Sequence, residues 1–189
     1  MTTFTKRVVA GGDDGYAYDS GTFNSNLAYF VIGHFDDASQ QAFCRFTNVT
    51  IPKGATIVSA KVSLQAYSDY SATTCNVTVA CEAADNPAAP TTKADLYGRS
   101  RTTGTAWSSI SSWTNNSVYD TPDIAADVQE VVDRAGWASG QAMQVFFDDN
   151  SSSAAAFRAG DSYDGSSTTC ALLTVEYSEA VSSGFFAFF

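Results

Sequence analysis

The sequence is short of the residues from which most catalytic and nucleic-acid sites are built. It holds one histidine, His34, with four cysteines and four prolines in 189 residues, and ten Lys and Arg against twenty Asp and Glu. A formal charge of -10 and a pI near 4.2 argue against a nucleic-acid partner, because gripping a phosphate backbone takes clustered cations and these ten are scattered. Long apolar runs are missing too. Nothing approaches the roughly 20 apolar residues of a membrane-spanning helix, so no membrane is expected. Val8-Val9-Ala10 is far shorter than the apolar core of about 7–15 residues in a signal peptide, so no export leader is expected either.

The scarcity of histidine restricts catalysis. A Ser-His-Asp or Cys-His triad would have to use His34, in "VIGHFDD", and no Gly-x-Ser-x-Gly elbow accompanies any serine. Paired glycosidase acids would have to come from residues such as Glu82, Asp85, Glu130 or Asp148, yet twenty acidic residues on a chain this size are mostly solvated surface. The expectation is a protein that is not an enzyme. Zinc finds no Cys-x-x-Cys or His-x-x-x-His spacing. A structural calcium ion is the one cofactor the sequence leaves open. Asp13 with Asp14, Asp36 with Asp37, Asp148-Asp149-Asn150, and Asp161 with Asp164 fall in loop-like stretches, although turn geometry alone favours Asp and Asn there.

What is present is alternation. In Thr56 to Tyr67, "TIVSAKVSLQAY", Val58, Ala60, Val62, Leu64 and Ala66 fall on one face, and Ser59, Lys61, Ser63, Gln65 and Tyr67 on the other. That is the pattern of a half-buried strand. Ala42–Thr50, Thr74–Glu82, Gln141–Asp148 and Thr169–Tyr177 read the same way, the last aligning Ala171, Leu173, Val175 and Tyr177. Polar turns such as "SDYSAT", "DDNSSS" and "DSYDGSS" separate them. Short strands divided by turns predict an all-β, jelly-roll-like antiparallel sandwich over residues 1–177.

One helix is predicted within this pattern, over about 121–134. Thr121 suits the N-cap, Pro122 the first helical position and Asp123 the positive end of the dipole. Ile124, Val128, Val131 and Val132 share a face, Arg134 falls in the last turn and Gly136 can end it. Such a helix is expected to plug one end of the sandwich.

Cys75 and Cys81, in "CNVTVAC", would sit about 20 Å apart on one strand and cannot bridge each other. They read as core thiols of a protein assembled in a reducing cytosol, with a bridge to Cys44 or Cys170 as the alternative. Trp107, Trp113 and Tyr119, with Tyr67 and Tyr70 nearby, offer a flat aromatic platform for a glycan. The competing reading packs Trp107, Trp113 and Trp137 at the ends of the sandwich beside the helix.

The order of "ATIVSAKVSLQAY", "EAADNPAAP", "GRSRTTGTAWSS", "TPDIAADVQEVVDRAGWASGQAMQVFFDDN" and "DSYDGSSTTCALLTVEY" resembles the DNRLRE-like jelly-roll β-sandwich modules of bacterial surface proteins and bacteriophage particles. The likeness runs from about Ile51 to Tyr177, leaving residues 1–50 as N-terminal strands and loops. The helix with "GWASGQAMQV" is its most specific piece. It implies a non-catalytic module that binds glycans, builds surface structures or decorates virions. The expectation is therefore a non-enzymatic virion structural protein of a tailed bacteriophage, a capsid decoration or other particle-surface protein assembled in the host cytoplasm. An extracellular carbohydrate-binding or adhesive module is the alternative.

Beyond the module lies a tail, residues 178–189, ending in "FFAFF". Phe185, Phe186, Phe188 and Phe189 left in water would form a sticky apolar patch. They are expected to dock on another copy of the chain or on other virion proteins, helping to hold a homo-oligomer such as a trimer. Packing on their own sandwich is the competing reading.

Overall fold

The computed structural model describes residues 1–35, 38–72 and 74–179. The chain forms β1 (Thr2–Arg7), β2 (Asp14–Tyr18), β3 (Phe23–Asn24), β4 (Tyr29–Phe35), β5 (Ala38–Val49), β6 (Thr56–Gln65), β7 (Val77–Cys81), α1 (Lys93–Gly98), β8 (Thr105–Trp107), β9 (Val118–Asp120), α2 (Ala125–Val132), β10 (Gln141–Asp149), β11 (Phe157–Asp161) and β12 (Leu172–Ser178). One sheet runs β1, β12, β6, β9. The other runs β11, β4, β5, β10, β7, β8, with β2 and β3 added beside β5. The described strand pairs are antiparallel. The protein is an all-β sandwich.

The alternating segments form strands for the reason their pattern suggests. Ala60, Val62, Leu64 and Ala66 of the β6 segment, and Ala171, Leu173, Val175 and Tyr177 around β12, are buried and face the second sheet across a shared core. Fully burying an aliphatic side chain is worth about 1.5–3 kcal/mol, which fixes the register. Val58 departs from the expected face and is 44% exposed. Ser59 lies opposite Glu176 but Ile57 lies opposite Tyr177, so Val58 is the extra residue of a β-bulge and Ile57 takes its place inside.

The predicted strand Thr74–Glu82 starts later, at Val77, because Thr74 adopts φ +62° and cannot continue a ladder. Cys75 is buried all the same, and all four cysteines are buried and unpaired.

Among the described residues there are two α-helices where one was expected. α2 begins at Ala125 rather than Thr121. Thr121 Oγ1 accepts from Val62 N, Asp123 Oδ1 accepts from Ala60 N, and Ile124 N donates to Ala60 O. Residues 121–124 thus extend the edge of β6, and the helix starts only when that edge ends. Arg134 falls beyond the last turn and pairs with Asp85 at 2.7 Å. The expected stripe is real: Ile124, Val128, Val131 and Val132 are buried. α2 packs on β6 of one sheet and β7 of the other, so it bridges the two layers at one end.

The unforeseen α1 covers the outer face of the larger sheet. Phe43 and Phe146 belong to a small second cluster that Leu96 completes with Ala17, Phe23 stacking on Phe43 and the Arg101 guanidinium lying over Phe146. Thr92 caps the helix, accepting from Asp95 N at 3.1 Å.

At the far end of β6 the sheets are joined directly, by a bridge between Ala66 and Gly160 and by Tyr67 N donating to Ala159 O at 3.0 Å. The sandwich therefore has a helix-sealed end and a loop end.

Candidate functional site

The loop end collects the segment after β6 (66–76), the segment after β8 (108–113) and the start of β11. Its centre is Arg158, which is 1% exposed. Gly33 makes room beside it. With φ +91° and a Cβ position only 2.8 Å from Cys75 Sγ, that residue of β4 has no space for a side chain.

The Arg158 guanidinium donates to four carbonyls: Nε to Ser111 O at 2.9 Å, Nη1 to Phe157 O at 2.7 Å, and Nη2 to Ala72 O at 3.0 Å and Ile110 O at 2.6 Å. Among the described residues no carboxylate pairs with it. Carbonyl dipoles satisfy hydrogen bonds without cancelling the charge, and burial pulls the Arg158 pKa below its ordinary value. Of five N–H groups, one on Nη1 has no acceptor among the described residues.

Above Arg158 lies a recess of about 340 Å³ lined by Ser71, Thr74, Ser109, Ser111 and Ser112. All five are exposed at its rim, and none of their hydroxyls bonds to a described protein group. Two lip residues, Thr74 and Ser109, hold left-handed backbone at φ +62° and +51°. A second recess of about 300 Å³, over β6 and β12, differs in that its polar groups are mostly spent on each other: Ser59 Oγ bonds Glu176 at 3.2 Å and Asp123 holds Ala60 N.

The aromatic residues sit beside the loop end without forming an open platform. Trp113 is 2% exposed and stacks on Tyr119, with centroids 4.9 Å apart and planes 6° from parallel. Trp107 leans on Trp113 at 6.2 Å, and both Trp107 and Tyr119 are half-buried. Tyr67 is exposed and Tyr70 half-buried. Trp137 is buried near the helix end, with Nε1 donating to Ile51 O. Trp113 Nε1 and His34 Nε2 are buried without a partner among the described residues. His34 Nδ1 lies 3.5 Å from Ser152 O, the one group its ring reaches among the described residues.

The candidate glycosidase acids are dispersed into ion pairs: Glu82 with Arg99, Asp85 with Arg134, and Asp148 with Arg101. Glu130 accepts from Thr103 N. Of the acid pairs considered for calcium, Asp13 pairs with Arg45 at 2.6 Å, Asp149 accepts from Ser39 and Ser152, and Asp161 accepts from Thr169. Asp36 and Asp37 lie outside the described residues, among which no group of three or more His, Cys, Asp or Glu is placed to hold a metal ion. No helix in the described residues is long and apolar enough to cross a membrane. Phe185, Phe186, Phe188 and Phe189 also fall outside the described residues.

Arg158 was not singled out in the sequence. "AFRAGDS" alternates as an edge strand with Arg158 on the face opposite Phe157 and Ala159, so nothing in the stretch marks the side chain as buried. No known protein-family model matches the chain, and a search of curated proteins finds no significant relative.

Proposed function

We propose that the protein is a non-enzymatic structural protein of a tailed bacteriophage particle, a capsid decoration or another particle-surface protein, assembled in the host cytoplasm. The observation that carries this reading is the set of four buried, unpaired cysteines. A sandwich held by packing alone, with thiols used as small apolar side chains, suits folding in a reducing compartment. The resemblance of residues 51–177 to virion and surface modules points the same way. The test is copurification with assembled particles, in the full chain and after deletion of residues 185–189. The reading expects the full chain on particles, and an intact, equally stable monomer that no longer self-associates or attaches after the deletion. A sharply lower melting point of the truncated monomer would show that the tail belongs to its own sandwich.

A second reading, an extracellular carbohydrate-binding or adhesive module, is favoured by the hydroxyl-lined recess beside half-buried Trp107 and Tyr119. Binding of the isolated monomer to a glycan array, with no particle association, would decide for it.

A further inference from the structure

The recess at the loop end combines a buried cation with a ring of uncommitted hydroxyls. We infer that it is a binding site for an acidic saccharide, whose carboxylate meets the Arg158 Nη1 N–H that has no acceptor among the described residues and whose hydroxyls meet Ser71, Thr74, Ser109, Ser111 and Ser112. The inference deepens the carbohydrate-binding reading, and the site would serve a particle protein that adheres to a host surface equally well.

Three observations lead here. A guanidinium this deeply buried is ordinarily matched by a carboxylate, because an unmatched charge in a poorly solvated place is costly. Arg158 instead has four carbonyls, which fix its plane and hold the 72 and 110–111 backbones against β11 while leaving its charge unbalanced. An incoming anion supplies the missing charge, and a charge-assisted bond to it is stronger than a neutral one.

The lining then selects what carries the anion. Serine and threonine hydroxyls both donate and accept, which suits the hydroxyls of a sugar better than an apolar acid. About 340 Å³ lies within the range of small-ligand sites and has room for a sugar unit. Asp149, an acid on nearby β10, is occupied by Ser39 and Ser152, so it does not complete the charge pair.

Finally, the site is held in place before any ligand arrives. Arg158 is fixed by its carbonyls, Asn76 Oδ1 accepts from Ser109 N at 2.7 Å, and Ser152 Oγ accepts from Asn76 N at 2.8 Å. Little ordering remains to oppose binding.

The experiment is a titration of the full chain with D-glucuronate, D-glucose and acetate, followed by NMR at the amides of Ser71, Ser109 and Ser111 and at Arg158 Nε. D-glucuronate is expected to shift these signals saturably and to bind at least about tenfold tighter than either D-glucose or acetate, the equivalent of one charge-assisted hydrogen bond. Arg158→Met should lose the response. Because that variant also removes the bonds that hold the loops, Ser112→Trp serves as the second test: it fills the mouth from an exposed position, leaves the carbonyl cradle intact, and should abolish binding with an unchanged melting point. Equal binding of glucose and glucuronate overturns the role of Arg158, and equal binding of acetate overturns the saccharide assignment. Neutral glycans captured on an array while glucuronate leaves these signals unmoved would keep the carbohydrate-binding reading and sink this site. An unaltered glucuronate response in Ser112→Trp would also overturn it.

Discussion

The two ends of the sandwich each bury an unpaired charge and solvate it with loop groups, but they finish the task differently. At the helix end Asp127 is 1% exposed, and both its oxygens are occupied: Oδ1 accepts from Thr102 Oγ1 at 2.6 Å and Gly104 N at 2.7 Å, and Oδ2 from Thr105 Oγ1 at 2.8 Å. Beneath it the apolar stripe of α2 closes the core. At the loop end Arg158 is equally buried but keeps a donor in hand and looks into a recess. A charge whose partners are complete secures a loop. One whose partners are incomplete is available for a ligand.

Asp14 of β2 adds a third case. It is 1% exposed, and among the described residues Oδ2 accepts only from Tyr163 N at 2.8 Å and Oδ1 has no partner. Burial pushes its pKa up to about 7, against the pull of the Tyr163 N–H and with some help from Asp164 and Asp13. The group with fewest partners is the one that gives up its charge.

The comparison can be broken from its most sensitive point outward. Val128→Asp places an unpartnered carboxylate in the sealed stripe and should cost about 4 kcal/mol or more, read as a shift in the denaturant midpoint. Little change would mean that the helix does not seal the end. Next comes Asp14. The folded chain keeps its proton up to about pH 7 while the unfolded chain releases it near pH 3.8, so this group's contribution to stability is full below about pH 4 and fades as pH rises to 7. Asp14→Asn should therefore flatten that slope and raise stability at pH 8 by about 4 kcal/mol. A slope that persists in the variant assigns it to another group.

Smaller effects compare the two ends directly. Asp127→Ala strands three donors, of buried Thr102 and half-buried Gly104 and Thr105, and should cost about 2–3 kcal/mol. Arg158→Met frees carbonyls that the recess lets water reach, and should cost about 1–2 kcal/mol, with faster amide exchange confined to the 69–74 and 109–113 loops. The reverse order would show that the loop end is the better sealed of the two. Smallest of all, reductant should leave the unfolding midpoint where it is, since the four thiols are unpaired.

How much of this was legible in the sequence follows from which residues face one way. β6 and β12 alternate because one of their faces meets solvent, whereas β10 is buried on both faces from Ala142 to Phe147; the α2 stripe shows the helical period for the same reason as β6 and β12. β4 was invisible: "YFVIGHF" has four consecutive buried residues, Phe30 to Gly33, so it has no alternation to read. α1 is too short for a period, and its reason to exist is Phe43 and Phe146 on the outer face of strands distant in the chain. The Val58 bulge is likewise set by its partner strand. Among site residues, Trp107, Trp113 and Tyr119 were found by type and do cluster, but Trp113 turns inward. Arg158 was missed because burial of a cation depends on carbonyls from three separate segments.

The pairing of β1 with β12 has a consequence for how the protein is made. Thr2 lies opposite Tyr177, and β12 in turn lies between β1 and β6, so the first strand has no neighbour in its sheet until the last has been synthesised. Closing a loop that spans nearly the whole chain costs entropy before any contact rewards it, and topologies rich in such distant contacts fold slowly. Until β12 is in place one sheet is thus half-built and its apolar face uncovered, and in that interval the chain is most exposed to aggregation and to chaperones.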